Sequence, residues 1–330
     1  MSKTLRIVIL LLFSIIFINP AFCGQEFRGT AGPQFLKMEA GARPAALGSA
    51  FVGAADDVSA AYWNPSGLIE INDRQVTFMY NMWFQGINAG YLAYAQPVER
   101  TKTVKLVDQK GQIKTEERKE KMLAFGTSLT YVGYGNMPRT FEDAGGNYAG
   151  TEGFFSASDY SLSLSGATRL PGTGDIGISV KFISSSISTY SAFGVALDIG
   201  IMYPVGDKFR IGLILQNFGT NMKYIQGGAN VTLPSNFKAG VSYKILDTKS
   251  NFLLALVDVN VPSDNIPSVC AGVEYTFNDM VSIRAGYKGT EPAGISFGGG
   301  VKMQTYFIDY AYVPFGELGA THRISVTAHF

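Results

Sequence analysis

What this chain lacks narrows it first. After residue 23 it has no apolar stretch of 18 residues, which argues against a bundle of membrane helices, each needing about 20 apolar residues. Lys and Arg number 27 against 26 for Asp and Glu, so no basic footprint for nucleic acid stands out. Cysteine occurs only as Cys23 and Cys270. No Cys/His cluster has metal-ligand spacing, and removal of the first 23 residues would leave one thiol and no internal disulfide. Histidine occurs only as His322 and His329, neither with a partner of catalytic spacing, and Ser, Asp and His are too scattered to propose a triad. No glycine-rich segment has the strand–loop–helix setting or the lysine of a phosphate loop. These absences argue against an enzyme, and nothing calls for a cofactor or metal.

The first 23 residues, MSKTLRIVILLLFSIIFINPAFC, read as a secretory signal. Lys3 and Arg6 precede an apolar core from Ile7 to Ile18, broken only by Ser14, and Ala21 and Cys23 are the small residues a signal peptidase reads. Phe22 is not the small residue that acylation at Cys23 would require. The expected organisation is a signal peptide over 1–23, a distinct N-terminal segment over 24–70 and a strand-rich body over 71–330.

The body alternates with period two, the mark of strands with unlike faces. Ile176, Ile178, Val180 and Phe182 alternate with Gly177, Ser179 and Lys181. Phe193, Val195, Leu197, Ile199 and Ile201 alternate with Gly194, Ala196, Asp198 and Gly200. About fourteen such segments follow residue 74, most of them longer than the usual soluble strand of 5–6 residues. Connections after even-numbered strands are mostly tight, as at Pro171-Gly172-Thr173-Gly174 and Asn278-Asp279, whereas 134–157 and 218–235 after odd-numbered strands are long. Outer-membrane barrels have this asymmetry, with short periplasmic turns and longer external loops. The predicted fold is therefore all-β: a transmembrane antiparallel β-barrel of about fourteen strands, with outer-membrane lipid around its apolar face.

Within it, the polar face places Lys181, Asp198, Arg210, Lys238, Asp258, Glu274, Arg284 and Arg323 inward, since Arg or Lys facing lipid at mid-depth costs about 2–4 kcal/mol. These form either a polar path or a set of mutually neutralising charges. The charged segment 98–121 reads as a solvated loop or as a hairpin pairing Thr103–Val107 with Ile113–Glu117. The aromatics Tyr134, Phe141, Tyr148, Phe154, Phe155, Phe218 and Tyr224 in the long loops suggest an apolar binding surface or ordinary packing over the barrel mouth. The last strand ends on Phe330 behind Ile324, Val326 and Ala328, similar to the C-terminal signal read by the barrel-insertion machinery.

Residues 41–68, GARPAALGSAFVGAADDVSAAYWNPSGL, differ from the strands in being rich in small side chains. Pro44 suits a short helix start, Asp56 or Asp57 suits a cap, and Asn64-Pro65-Ser66-Gly67 suits a turn into the first strand. Small side chains permit close packing inside another structure, so this segment is predicted to be a helical hatch at the periplasmic mouth. With the preceding Gly29-Thr30-Ala31-Gly32-Pro33-Gln34-Phe35-Leu36, it resembles the N-terminal signature of the PorV/PorQ family, within the FadL-like group of outer-membrane barrels. The residues that carry the resemblance are Gly41, Arg43, Pro44, Gly48, Phe51, Asp56, Asp57, Trp63, Asn64, Pro65 and Gly67. The resemblance implies a fourteen-stranded FadL-like barrel with a hatch. It implies first a role in type IX-like secretion, with secreted cargo proteins and other secretion components as partners. The alternative it implies is a channel for long-chain fatty acids or other hydrophobic small molecules.

Overall fold

A computed structural model describes residues 28–107, 113–225, 227–289 and 294–330; the expected signal peptide lies outside the described residues. Fourteen strands occur where alternation predicts them: β1 (Gln75–Met82), β2 (Asn88–Val107), β3 (Ile113–Glu142), β4 (Tyr148–Leu170), β5 (Gly174–Ile187), β6 (Tyr190–Val205), β7 (Phe209–Gly219), β8 (Asn236–Asp247), β9 (Asn251–Pro262), β10 (Ser268–Phe277), β11 (Val281–Lys288), β12 (Gly294–Met303), β13 (Tyr306–Pro314) and β14 (Ala320–His329). Each pairs antiparallel with its neighbours, and β1 closes the barrel on β14 from Gln75 opposite His329 to Met82 opposite His322.

The period-two pattern sorts inside from outside as expected. Along β5, Ile178 and Phe182 are exposed while Ser179 and Lys181 are buried. The same inversion recurs around the wall, with Phe78, Phe125, Leu164, Ile199, Ile283 and Phe297 among the exposed apolar residues. No helix of the described residues is long and apolar enough to cross a membrane. An apolar exterior around a polar, filled interior is the arrangement of a barrel whose outer surface faces hydrocarbon.

Two connections differ from a plain loop. Segment 98–121 is a hairpin, with Thr103 opposite Glu117 and Val107 opposite Ile113. Segment 134–157, expected as a loop, instead continues β3 and β4 as a two-stranded ribbon, with Asn136 opposite Ser156 and Phe141 opposite Gly150. Register shifts after Gly133, Pro138 and Phe141 interrupt it. Beyond its base, where Ala157 pairs with Ile187 and Ser156 accepts from the Ser188 amide, the ribbon is wet on nearly all sides, so neither face imposes the alternation that marks a half-buried strand.

The interior is occupied by residues 28–74. Two short helices, α1 (Ala42–Ala46) and α2 (Ala60–Trp63), and 3-10 turns at Gln34–Lys37 and Pro65–Glu70 are joined by irregular chain. Helices of four or five residues have no stability of their own; packing holds them. Leu47, Phe51, Trp63, Leu68, Ile69 and Ile71 are almost fully buried and make the hatch the hydrophobic core of the whole molecule. The hatch reaches further than a plug at one mouth. Pro65–Glu70 packs at the short-turn end against β3, β4, β5 and β6. At the other end, the Gly29 and Gly32 amides donate to the carbonyls of Asp264 and Thr232 in the long-loop connections. A chain with small side chains can thread the lumen from end to end in this way.

Glycines in the wall allow the contact. A Cβ at Gly286 would lie 2.0 Å from the Gly48 nitrogen, one at Gly177 2.2 Å from the Ser66 nitrogen, and one at Gly212 2.2 Å from the Val52 carbonyl oxygen. Gly272 receives the Leu47 carbonyl in the same manner, and Gly200 and Gly298 make room for the Asn64 and Ala46 side chains. The hatch backbone therefore rests on the wall backbone, closer than any side chain would permit.

Buried ion pairs add direction. Arg43 bridges Glu274 of the wall at 2.9 Å and Asp56 and Asp57 of the hatch at 2.6 and 2.9 Å, and Arg284 joins Glu274 to Asp309. Glu39 pairs with Arg323 at 2.7 Å and with Lys288. Burial alone would raise the Glu39 carboxyl, but the Lys288 and Arg323 cations, with hydrogen bonds from Lys288 and Ser49, hold it well below the usual carboxylate range. A depressed carboxylate adds stability that is complete above its ordinary value and is lost only as pH falls through the depressed one. The hatch stays fastened through mildly acidic conditions as far as this group is concerned.

Two predictions follow from the fastening. Gly286→Ala forces Gly48 away from the wall, so the temperature at which the heat-modifiable gel band shifts falls by several degrees and single-channel conductance in planar bilayers rises. Gly166→Ala, whose Cβ would meet no atom closer than 4.0 Å, leaves both unchanged. Glu39→Gln strips the anion from Lys288 and Arg323, and leaving buried charges unpaired costs about 3–5 kcal/mol; the same gel assay reads the loss, and an unshifted transition would contradict the assigned pairing.

Candidate functional site

The motif residues assemble as the hatch's own scaffold. Gly41 precedes α1 with φ of 88°, and Pro44 is buried inside that helix. Gly48, with φ of 65°, lies against the Tyr287 backbone and donates its amide to Ser296 Oγ at 3.1 Å. Phe51 lies beneath the Arg43 guanidinium, 5.0 Å from ring centre to Cζ. The Phe51 and Val52 amides both donate to Asp258 Oδ2, at 2.7 and 2.9 Å. Trp63 donates its indole N–H to the Ala40 carbonyl at 2.7 Å. Asn64 donates to the carbonyls of Val52 and Ile201 and accepts from Ser66, capping the turn that begins with Pro65. Gly67 sits where a Cβ would strike the Ala55 carbonyl. The expected cap is built differently: Asp57 accepts from the amide and hydroxyl of Ser59, and Asp56 turns to Arg43. Phe330 ends the chain exposed at the short-turn end, its amide donating to the Arg74 carbonyl.

Above this scaffold, toward the long loops, lies a cavity of about 390 Å³. Its apolar side consists of Phe35, Leu36, Met38, Trp83, Phe84 and Phe315, with Ile87 and Tyr134. Trp83 and Phe84 come from the short connection after β1, and Phe315 from the one after β13. Their rings form a cluster, with Phe315 5.0 Å from Trp83 and 5.8 Å from Phe84 between centroids. Offset and edge-on contacts of this kind keep aromatic rings in place without filling the space in front of them. The polar lining comes from β7, β8 and β9 (Gln216, Asn217, Asn236, Lys238, Asp258 and Asn260), from Lys288 of β11, and from Gln34, Lys37, Glu39 and Ser49 of the hatch. Trp63 supports Lys238 from below, with the ammonium 4.7 Å from the ring centre.

The inward charges read from the sequence are all where alternation places them, and most neutralise one another. Lys181 pairs with Asp198 at 2.7 Å, Arg210 with Glu70 at 2.7 Å, and Glu274, Arg284 and Arg323 belong to the pairs already described. Asp258 accepts two hatch amides instead. Sequence reasoning missed the cavity because its aromatics stand singly in short connections and in 34–39, where no periodicity exposes them. Of the long-loop aromatics, Tyr134 lines the cavity and Tyr224 packs against the Phe35 cluster, while Phe141, Tyr148, Phe154 and Phe218 face solvent. A concave, mostly apolar lining with a few convergent polar groups is the form of a small-molecule site.

No family model and no curated protein matches the sequence. Solved structures do match in fold. The toluene transporter TbuX of Ralstonia pickettii superposes with a TM-score of 0.60 at 14% identity, over 88% of this chain and 98% of that one. The toluene transporter TodX of Pseudomonas putida gives 0.52 at 11% identity, over 86% and 96%. A deletion mutant of TodX, described as a monoaromatic hydrocarbon channel, gives 0.52 at 12%, over 88% and 98%. At such identities the likeness concerns the fold, that of a closed β-barrel, fourteen-stranded in this chain.

Proposed function

We propose that this protein is an outer-membrane channel for small hydrophobic compounds, with the cavity above the hatch as the station where a solute is held. The observation that carries this reading is the lining of that cavity: Phe35, Leu36, Met38, Trp83, Phe84 and Phe315 gathered around open space inside the lumen. The apolar exterior supports the membrane location, and an apolar solute has reason to leave water for such a site. The fold it shares with two toluene transporters fits the same reading. The secretion role implied by the N-terminal signature draws no support from these neighbours.

The geometry suggests how passage would be controlled. All fourteen seams of the wall are paired, and the hatch fills the lumen below the cavity, so onward movement requires the hatch to shift. Its turn-end piece, Pro65–Glu70, is held to the wall by a partly exposed fastening. Glu70 holds Arg210 at 2.7 Å and also Arg169, with its side chain 20% exposed. Partly exposed pairs are weaker than the buried Glu39 and Glu274 clusters, so this end is the one that yields first.

Purified protein in lipid nanodiscs is expected to bind toluene or a similar hydrocarbon, and cells or proteoliposomes containing it to take the compound up faster than controls. Trp83→Ala should weaken binding about tenfold, the effect of removing one well-packed aromatic anchor. Glu70→Gln should speed uptake several-fold while leaving the dissociation constant within about twofold. Absence of both binding and uptake in the unmodified protein would remove the proposal.

A further inference from the structure

The polar side of the cavity is unlike the rest of the lumen. Among the eight inward charged residues named from the sequence, Lys238 alone has neither an ion pair nor a hydrogen bond with any described residue. It is not isolated from other polar groups. In the β8–β9 register Lys238 stands directly opposite Asn260, Asn236 occupies the next inward position on β8, and Asp258 the next inward position on β9. All four line the cavity. The side-chain oxygens Asn236 Oδ1, Asn260 Oδ1 and Asp258 Oδ1 are buried without a hydrogen-bond partner, and Asp258 is only 1% exposed. Buried polar groups in folded proteins are nearly always satisfied, and each exception asks for a missing partner.

The balance of donors and acceptors selects that partner. Lys238 offers N–H donors and no acceptor, while the orphan amide oxygens of Asn236 and Asn260 accept and do not donate. A hydrocarbon satisfies neither kind. A carboxylate accepts only; it would suit Lys238 but would leave the orphan oxygens of Asn236 and Asn260 without a donor. A hydroxyl both donates and accepts, so it can take a hydrogen bond from the Lys238 ammonium and give one to a neighbouring oxygen. The body of the ligand must then suit the Trp83, Phe84 and Phe315 side, where aromatic rings favour another ring.

The geometry points to a hydroxylated aromatic compound, a simple phenol, as the solute this cavity selects, with its hydroxyl on the Lys238–Asn260 pair and its ring toward the aromatic cluster. This rests on the channel reading above and narrows it from hydrophobic compounds in general to those bearing one neutral hydroxyl. A site built to hydrogen-bond a substrate hydroxyl rejects the analogue that lacks it, because its own buried polar groups are then left unpaired.

The test uses a matched set: p-cresol, p-xylene, in which methyl replaces hydroxyl, and p-toluate, in which a carboxylate does. The chain has only two tryptophans; Trp83 lines the cavity and Trp63 lies beneath Lys238, so intrinsic fluorescence of the full chain in nanodiscs reports occupancy, with calorimetry as a second readout. p-Cresol is expected to bind at least tenfold more tightly than p-xylene. Lys238→Met and Asn260→Leu should each reduce that ratio to within about twofold while leaving p-xylene affinity unchanged. Equal affinities for p-cresol and p-xylene in the unmodified protein overturn the phenol assignment and leave the channel reading standing. Tighter binding of p-toluate than of p-cresol overturns it in favour of an anion site. Binding of none of the three overturns both readings. The comparison on the unmodified protein decides the matter even if a variant fails to fold.

Discussion

The structure depends on one constraint: a sheet immersed in hydrocarbon must satisfy every backbone N–H and C=O within itself, so it closes. Once β1 is bonded to β14, no strand edge remains in the barrel wall itself, and each residue of the wall has only two places to put its side chain. Outward positions become apolar because nothing polar is available there. Inward positions are released from that demand and can be Gly, Ser, Lys or Asp. The hatch is the consequence of this release. A fourteen-stranded tube has too wide an interior for its own side chains to fill, and a second piece of chain supplies the core that the wall cannot.

That core is assembled by unusual means. In a soluble domain, large side chains interlock between layers. Here the wall withdraws its side chains at Gly177, Gly212, Gly272 and Gly286 so that backbone meets backbone, and at Gly200 and Gly298 to admit the Asn64 and Ala46 side chains. Polar fastenings then set the position: Arg43 joins the hatch to Glu274 of β10, and Glu39 joins it to Lys288 of β11 and Arg323 of β14. Close van der Waals contact gives proximity, and buried charge gives register. The division explains why the hatch sequence is mostly small residues punctuated by a few charged ones.

The strand pattern, the inward charges and the hatch as a separate unit were legible in the sequence because each follows from a local rule. Alternation marks a two-faced strand, and a run such as Ala42 to Ala61 stands out by side-chain size alone. What was not legible depends on partners far apart in the chain. Nothing near Gly286 announces that its partner is Gly48, and nothing near Lys238 says that it has no ion pair among the described residues while Lys181, of the same type and facing, has Asp198. The ribbon at 134–157 escaped for the opposite reason: it is regular, but with both faces wet it leaves no imprint on residue choice. The hatch's reach to Asp264 likewise required the tertiary arrangement, since the sequence of 29–38 shows only that it is short of charge.

The distance along the chain between hatch and wall has a temporal meaning. The Ala42 amide bonds Ser325, 283 residues later, and Gly48 bonds Ser296, 248 residues later. The part of the chain made first thus waits for the part made last. A wall closed beforehand would present a narrow bore in which each wall glycine already needs its backbone partner, so filling and closing cannot be separate steps. The unfinished sheet must curl around the N-terminal segment as a template, and joining β14 to β1 seals both at once. Such non-local pairing is intrinsically slow. It makes the completed seam a record that the interior was in place before the barrel shut.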